Sequence, residues 1–216
     1  MNNSKYWVIA NYIFFSLVIV ASLILTIVLH LDWWSFVTCA STILYFVFLS
    51  DKNILNAIMG FISSAAFVVV SYKLHLYGEV IYYVAFDIPG TIISFFMWLN
   101  HRQSTFRVNI RKLSIKTISI IALSTTAIIV GYAILLIHLG SVSPWLDSMA
   151  AILAMLAAIL VIFRCREQWF VWILLYIVAI ILWSTTFDLL MLITSISCLI
   201  SSIIGYINWH HTNTQK

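Results

Sequence analysis

Charge is scarce in this sequence. Charged side chains make up 8% of its 216 residues, whereas they are about a quarter of a typical soluble domain. Apolar residues reach 63%, and the mean hydropathy is +1.08. A water-soluble fold could not cover this much apolar surface. The composition therefore predicts an integral membrane protein and leaves almost no sequence for a soluble domain.

Cysteine and the common catalytic motifs are also sparse. Cys39, Cys165 and Cys198 stand singly, without C-x-x-C or Cys/His spacing, so the pattern indicates neither a disulfide framework nor a metal site. The motifs G-x-x-x-x-G-K, H-E-x-x-H and G-x-S-x-G do not occur. We therefore expect no metal, no cofactor and no enzymatic activity.

Eight continuous apolar runs predict an all-α membrane fold. About 20 apolar residues cross the roughly 30 Å hydrocarbon core as a helix, and the alternation typical of a membrane β-barrel is missing. The first run follows Lys5 and is longer than the core of a secretory signal, so we expect it to be a retained span. The predicted spans are about 6–29, 33–50, 53–72, 79–100, 114–138, 145–163, 167–184 and 188–209.

The positive charges predict the orientation. With both termini in the cytoplasm, ten of the eleven Lys and Arg residues lie on the cytoplasmic side, and only Lys73 lies outside. Orientation alone therefore explains the basic segment 101–112, and we expect no nucleic-acid binding. The ten residues are Lys5, Lys52, Arg102, Arg107, Arg111, Lys112, Lys116, Arg164, Arg166 and Lys216.

An offset of 111 residues reveals an internal repeat. It places Trp34 on Trp145, and IISFFMW, which ends at Trp98, on IIGYINW, which ends at Trp209. One intervening helix gives both three-helix units the same orientation, as in transporters with parallel repeats. The predicted parts are an extra N-terminal helix (1–30), a first repeat (33–100), a basic cytoplasmic loop with a linker helix (101–138), a second repeat (145–209) and a cytoplasmic tail (210–216).

Aromatic side chains share one face of the seventh predicted span. In EQWFVWILLY, Trp169, Trp172 and Tyr176 stand at i, i+3 and i+7, and Trp183 continues near that face. Aromatic faces bind flat heteroaromatic rings and attract cations, so these residues are candidates for substrate binding. The alternative interpretation is a packing stripe with Trp169 in the interfacial belt.

Asp87 lies in the middle of the fourth predicted span. A carboxylate at that depth is unfavourable unless it faces a cavity or a partner, and FDIPG indicates a kink or a break there. We therefore predict that Asp87 binds substrate; the alternative is a structural carboxylate bonded to a neighbouring helix. By contrast, Asp32, Asp147 and Asp188 fall at predicted outside ends, where solvation or capping explains them.

Together these residues resemble the nicotinamide riboside transporter (PnuC) family over about residues 33–209. The resemblance rests on the double tryptophan of EQWFVWILLY, on IIGYINW, and on the segments NAIMGFISS and HLYGEVIYYVAFDIPGTIISFFMW. It implies a SWEET-like 3+1+3 helix bundle, often a homotrimer in the bacterial inner membrane. It also implies facilitated diffusion of a vitamin, with a cytosolic kinase trapping the product. Asn56, the first residue of NAIMGFISS, is a further candidate binding residue.

The chain departs from the family pattern at two polar positions. The pattern W-x-x-W-x-x-x-N/D places Tyr176 where relatives have an amide or acid, and Thr91 stands about where similar members carry glutamine. Because a site that hydrogen-bonds one group discriminates strongly, these changes predict a changed ligand preference. Nicotinamide riboside is the default substrate, and thiamine is the closest competitor. The alternative function is a membrane scaffold or interaction subunit with no transported solute.

Overall fold

The structure, a computed structural model, describes residues 3–100 and 110–211, with side chains for 12–100 and 110–209. The side chains of the predicted cytoplasmic cations Lys5, Arg102, Arg107 and Lys216 are not among those described. The described residues form helices and one short parallel pairing between Arg111 and Cys165. The helices are α1 (Asn3–Val28), α2 (Trp33–Ser50), α3 (Asn56–Lys73), α4 (Tyr77–Tyr82), α5 (Ile88–Asn100), α6 (Ile115–His138), α7 (Pro144–Ile162), α8 (Gln168–Thr186) and α9 (Leu189–His211).

Seven of the predicted spans are confirmed by helices long and apolar enough to cross a membrane. The fourth consists of α4, a π-helical turn (Tyr83–Asp87) and α5, which follow one another without a gap. For the first predicted span, the described apolar part is Tyr12–Val28, within α1.

At FDIPG, where the sequence predicts a kink or a break, the structure has a widened, π-helical turn. The amide of Ile88 donates to the carbonyl of Tyr83, five residues earlier, and Pro89 has no amide to continue the normal ladder. The helix therefore continues through this point. The π-helical turn places Asp87 at its last residue, immediately before α5.

The backbone repeats at nearly the predicted offset. The second helices of the two units begin at Asn56 and Gln168, 112 residues apart. Lys52 and Arg164, also 112 residues apart, have left-handed φ angles of 58° and 59° directly after the first helix of each unit. His75 and Phe187, which follow the second helix of each unit, also have left-handed φ angles, both 56°. Such residues end helices and turn the chain back.

The first helix of each unit packs against the third helix of the other unit. Helix α2 packs on α3 and on α9, whereas α7 packs on α8 and on α4 and α5. Asp147 of α7 is fully buried and accepts bonds from the amides of Gly78 and Glu79, so it caps α4. Ser35 of α2 donates to Asp188, which caps α9. Capping is thus confirmed for these two acids, but solvation is not the explanation for Asp147.

Small residues allow these helices to approach closely. Four alanines of α7 are buried, at positions 150, 151, 154 and 157, and α9 buries a row of serines. Without a hydrophobic driving force between helices in lipid, close packing of such residues holds the bundle together. Trp98 and Trp209, the pair related by the repeat, are both almost completely buried. The core therefore runs continuously between the two units.

The charged residues separate to the two ends of the bundle. Of the described Lys and Arg residues, only Lys73 lies at the end where α2 begins, where it pairs with Asp32 at 2.6 Å. We call this the acidic end, since Asp147 and Asp188 lie there too. The opposite end, the basic end, is where α6 and α8 begin. It carries Lys52, Arg111, Lys112, Lys116, Arg164 and Arg166.

Candidate functional site

A cavity lies between the two units, inside the helix bundle. It offers about 70 Å³ to water-sized molecules and is lined by side chains from α2, α3, the fourth span, α7, α8 and α9. Its lining combines aromatic rings with hydroxyl and carboxyl groups. The lining includes Tyr45, Phe46, Gly60, Ser64, Phe67, Glu79, Tyr82, Tyr83, Asp87, Thr91, Trp172, Tyr176 and Trp183.

The aromatic wall is built on α8. Trp172 and Tyr176 are one helical turn apart, so their side chains overlap, with ring centroids 5.9 Å apart and planes 17° from parallel. Phe46 of α2 meets both rings edge-on, at 4.9 and 5.3 Å. Trp183 lines the same cavity further along α8. These rings offer flat faces and edges to a heteroaromatic ligand.

The fourth span brings two carboxyl groups to the cavity. Asp87 accepts hydrogen bonds from Ser64 and from the hydroxyl of Tyr82, the latter at 2.6 Å. Glu79, two helical turns earlier, is 4% exposed and lines the same cavity. Tyr83 stands between them and stacks on Phe67 at 4.6 Å. Buried carboxyl groups at this depth favour a ligand with positive charge or several hydroxyl groups.

Thr91 and Asn56 lie beside this cavity. Thr91 lines it, and also lines a smaller neighbouring cavity together with Asp87 and Asn56. Asn56 is 2% exposed, and its amide nitrogen donates to the carbonyl of Asn53 at 2.6 Å. Asn56 therefore reaches the smaller cavity only, and part of its hydrogen-bonding capacity is already used by its own loop.

Trp169 is placed differently from the other predicted residues. Its side chain is completely buried, outside the cavity lining, and meets Trp209 edge-on at 5.7 Å. A side chain on Gly205 would come within 2.3 Å of the Trp169 ring, so glycine is required at that contact. The structure thus brings Trp172, Tyr176, Trp183, Asp87 and Thr91 to one cavity but not Trp169. That Trp169 binds substrate stays a prediction.

Several buried polar atoms near the start of α8 have no partner in the described structure. The indole nitrogens of Trp169, Trp172 and Trp209 are among them, as are both amide atoms of the completely buried Gln168. Buried polar groups normally find hydrogen-bond partners, since each unsatisfied one costs about 1–3 kcal/mol. These atoms lie between the cavity and the basic end.

The sequence-based prediction missed Glu79 and most of the other cavity residues. The spacing Glu79, Tyr83, Asp87 is i, i+4, i+8, which is one helical face, and this was an available signal. Tyr45 and Ser64 carried no comparable signal, because only the packing of α2 and α3 brings them to the cavity. Among the described side chains, no group of three His, Cys, Asp or Glu residues could hold a metal ion.

Comparisons with known proteins agree on one family. The family described as nicotinamide mononucleotide transporter matches residues 32–211. The nicotinamide riboside transporter PnuC of Neisseria mucosa is 31% identical over 82% of this chain and 72% of its own length. PnuC of Haemophilus influenzae is 29% identical over 82% of this chain and 79% of its own length. A crystal structure of the vitamin B3 transporter PnuC aligns with a TM-score of 0.84 and 27% identity, covering 93% of this chain and 90% of that one.

Proposed function

Because the chain belongs to the nicotinamide mononucleotide transporter family, and is thus a multi-pass membrane transporter and not an enzyme, we propose that it carries a B vitamin or its nucleoside form. The observation that carries this proposal is the cavity at which aromatic rings of α8 face the carboxyl groups of Asp87 and Glu79. Aromatic faces and buried carboxylates together suit a flat ring with a positive charge.

Nicotinamide riboside is the default substrate, and thiamine is its closest competitor. The curated relatives are nicotinamide riboside transporters, which supports the first. The pyridinium ring of nicotinamide riboside and the thiazolium ring of thiamine are both cations, so both suit the carboxyl groups. Tyr176 and Thr91 replace polar groups of the family pattern and weaken the case for a single ligand.

The cavity also bears on the alternative of a scaffold subunit. A scaffold needs only packed helices, whereas this bundle leaves a cavity of about 70 Å³ at the level of Asp87. This observation favours transport of a solute.

The remaining expectations rest on the family resemblance and on charge. Transport is facilitated diffusion, and a cytosolic kinase traps the product. The chain assembles as a homotrimer, with two parallel three-helix repeats in a SWEET-like arrangement. The excess of cations at the basic end supports a cytoplasmic location for that end, in a bacterial inner membrane.

Uptake into proteoliposomes tests the proposal. Purified protein is reconstituted without ATP or an ion gradient, and entry of nicotinamide riboside, thiamine, riboflavin and a deoxynucleoside is compared with entry into empty liposomes. We expect a cationic vitamin to equilibrate fastest and to stop at the external concentration. Uptake no faster than in empty liposomes for every compound would contradict transport. In a second assay an ion gradient is imposed with the membrane potential clamped at zero, and accumulation above the external concentration there would contradict facilitated diffusion.

A further inference from the structure

A long apolar groove opens between α6 and α8 on the surface of the bundle. Its volume is about 840 Å³, far larger than the central cavity. Helix α6 packs on α7 and makes no comparable contact with α8, so α7 forms the floor and the other two helices form the walls. Leu156 belongs to the floor, Ile121 to one wall and Leu174 to the other.

The groove has the length of one leaflet. Along α6 its lining runs from Ile115 to Ile129, about 21 Å at 1.5 Å per residue. Half the thickness of a bilayer with its headgroups is about 20–22 Å. On α8 the lining includes Phe170 and Leu174, both close to the start of that helix. The groove therefore occupies the half of the membrane next to the basic end.

Positive charge concentrates at the mouth of the groove. Lys112 and Arg166 line it there, and so does Ser114, which caps α6. The positive ends of two helix dipoles, those of α6 and α8, lie at the same level. Glu167 also lines the mouth, with one carboxylate oxygen 3.9 Å from the Arg166 guanidinium. This pair is close to neutral, so the charge of Lys112 remains uncompensated.

The chain segments beside the mouth add further positive charge. The backbone of Arg111 pairs with that of Arg164 and Arg166, through bonds of 2.9 Å each. Arg164 is 2% exposed, and two of its guanidinium nitrogens have no hydrogen-bond partner. Burial, and then the neighbouring Arg111, lower the pKa of the Arg164 side chain. Among the described side chains, none forms an ion pair with Arg111 or Arg164.

We propose that this groove is a binding site for an anionic phospholipid, whose headgroup contacts Lys112 and Arg166 while its acyl chains lie along α6 and α8. The apolar lining matches the acyl chains in chemistry and length, and the charge of the mouth complements a phosphate. Basic pockets at the ends of membrane helices commonly hold anionic headgroups. A bound lipid would fill the gap between the linker helix and the second unit.

A second copy of the chain fits the same groove poorly. The sequence has seven Asp and Glu residues, and two of the seven, Asp51 and Glu167, lie at the basic end. Asp51 already accepts a hydrogen bond from Tyr12, and Glu167 belongs to the groove itself. A neighbouring copy would therefore bring mostly like charge to this level, whereas an anionic lipid brings the opposite charge.

Native mass spectrometry of the purified protein with added lipid tests the proposal. The probes are phosphatidylglycerol and phosphatidylcholine of identical acyl chains. We expect selective retention of phosphatidylglycerol, weakened about fivefold by Lys112→Gln and again by Arg166→Gln. Lys116→Gln is the matched control, because Lys116 is an exposed cation in the first turn of α6 that does not line the groove. It should retain the lipid as the wild type does.

A second variant fills the groove without changing any charge. Ala122 is exposed and lines the wall on α6, so Ala122→Trp should fold and should also lose selective retention. Equal retention of both lipids by the wild type, or an equal loss in Lys116→Gln, would overturn the proposal. A change of oligomeric state in Ala122→Trp with lipid retention intact would also overturn it, by assigning the groove to a second copy.

Discussion

The three-helix segments 33–100 and 145–209 have left-handed turn residues at recurring positions, but they differ in the groups that they bring to the cavity. At an offset of 112 residues, Gly60 of α3 corresponds to Trp172 of α8, and Ser64 corresponds to Tyr176. The second unit thus places large rings where the first places small residues. On the third helices, where Trp98 and Trp209 set the offset at 111 residues, Asp87 corresponds to Cys198. The two units therefore contribute different groups to one asymmetric cavity: α8 supplies the stacked rings of Trp172 and Tyr176, and the fourth span supplies the carboxyl groups of Glu79 and Asp87.

The first helix of each unit stabilises the start of the third helix of the other unit, and the two contacts should differ in strength. Asp147→Ala leaves the amides of Gly78 and Glu79 and the hydroxyl of Ser141 without their acceptor. We expect a loss of about 2–5 kcal/mol in the free energy of unfolding, measured by thermal unfolding in detergent. The counterpart, Ser35→Ala, removes one hydroxyl bond of 2.8 Å and should cost about 1 kcal/mol. Equal losses would show that the two caps are equivalent.

Trp169 and Trp172 lie on the same helix, but only Trp172 lines the cavity, so the two substitutions should have different effects. Trp172→Ala should lower vitamin affinity about 10–100-fold, because stacking on an aromatic ring contributes about 1–3 kcal/mol. The sequence predicts the same loss for Trp169→Ala with the fold intact, whereas its complete burial predicts a lower melting temperature as well. Isothermal titration and thermal unfolding of both variants measure the two effects. Wild-type affinity in Trp172→Ala would return that residue to a packing role.

The contact between Gly205 and Trp169 is specific to the second unit. A Cβ atom at Gly205 would lie 2.3–2.5 Å from three carbons of the Trp169 ring. Gly205→Ala should therefore displace the ring and cost about 1–3 kcal/mol of stability. Gly131→Ala is the matched control on α6, since nothing lies within 4 Å of the added atom. That control should be neutral or stabilising by up to about 1 kcal/mol in the same unfolding assay.

Tyr176 should set the preference between ligands more than the total affinity. Tyr176→Asn introduces the amide of the family pattern, and we expect the ratio of nicotinamide riboside to thiamine affinity to rise about tenfold. Tyr176→Phe keeps the ring that stacks on Trp172 and removes only the hydroxyl group, so the ratio should not change. Competition binding with the two vitamins gives the ratio. An unchanged ratio in Tyr176→Asn would remove Tyr176 from the residues that determine specificity.

The helices were predictable because charges and turns interrupt the apolar runs. The second span was predicted as 33–50 and is Trp33–Ser50, since Asp32 caps its start and Asp51 follows its end. The start of the fourth span was predicted two residues late, at 79. The reason is that Asp147, distant in sequence, caps the start of α4 from another helix.

The site was less predictable than the fold. One helical face correctly grouped Trp172, Tyr176 and Trp183, because periodicity fixes which side chains point together. Periodicity does not fix depth along the helix, so Trp169, at the start of α8, was grouped with them although it lies outside the cavity. Glu79 was missed because it was read as the beginning of a span. The spacing of Glu79, Tyr83 and Asp87 on one helical face is the signal that could have identified it.

The most direct test of the central claim compares two ligands of nearly the same shape. Nicotinamide riboside has a cationic ring, and its reduced dihydro form has a neutral ring. The wild type should bind the cation more tightly. Asp87→Asn should weaken binding of the cation about tenfold or more and should change binding of the neutral form little. Asp32→Asn, at the exposed pair with Lys73, is the control and should change neither. Equal losses for both ligands in Asp87→Asn would contradict the account and leave Asp87 a structural carboxylate.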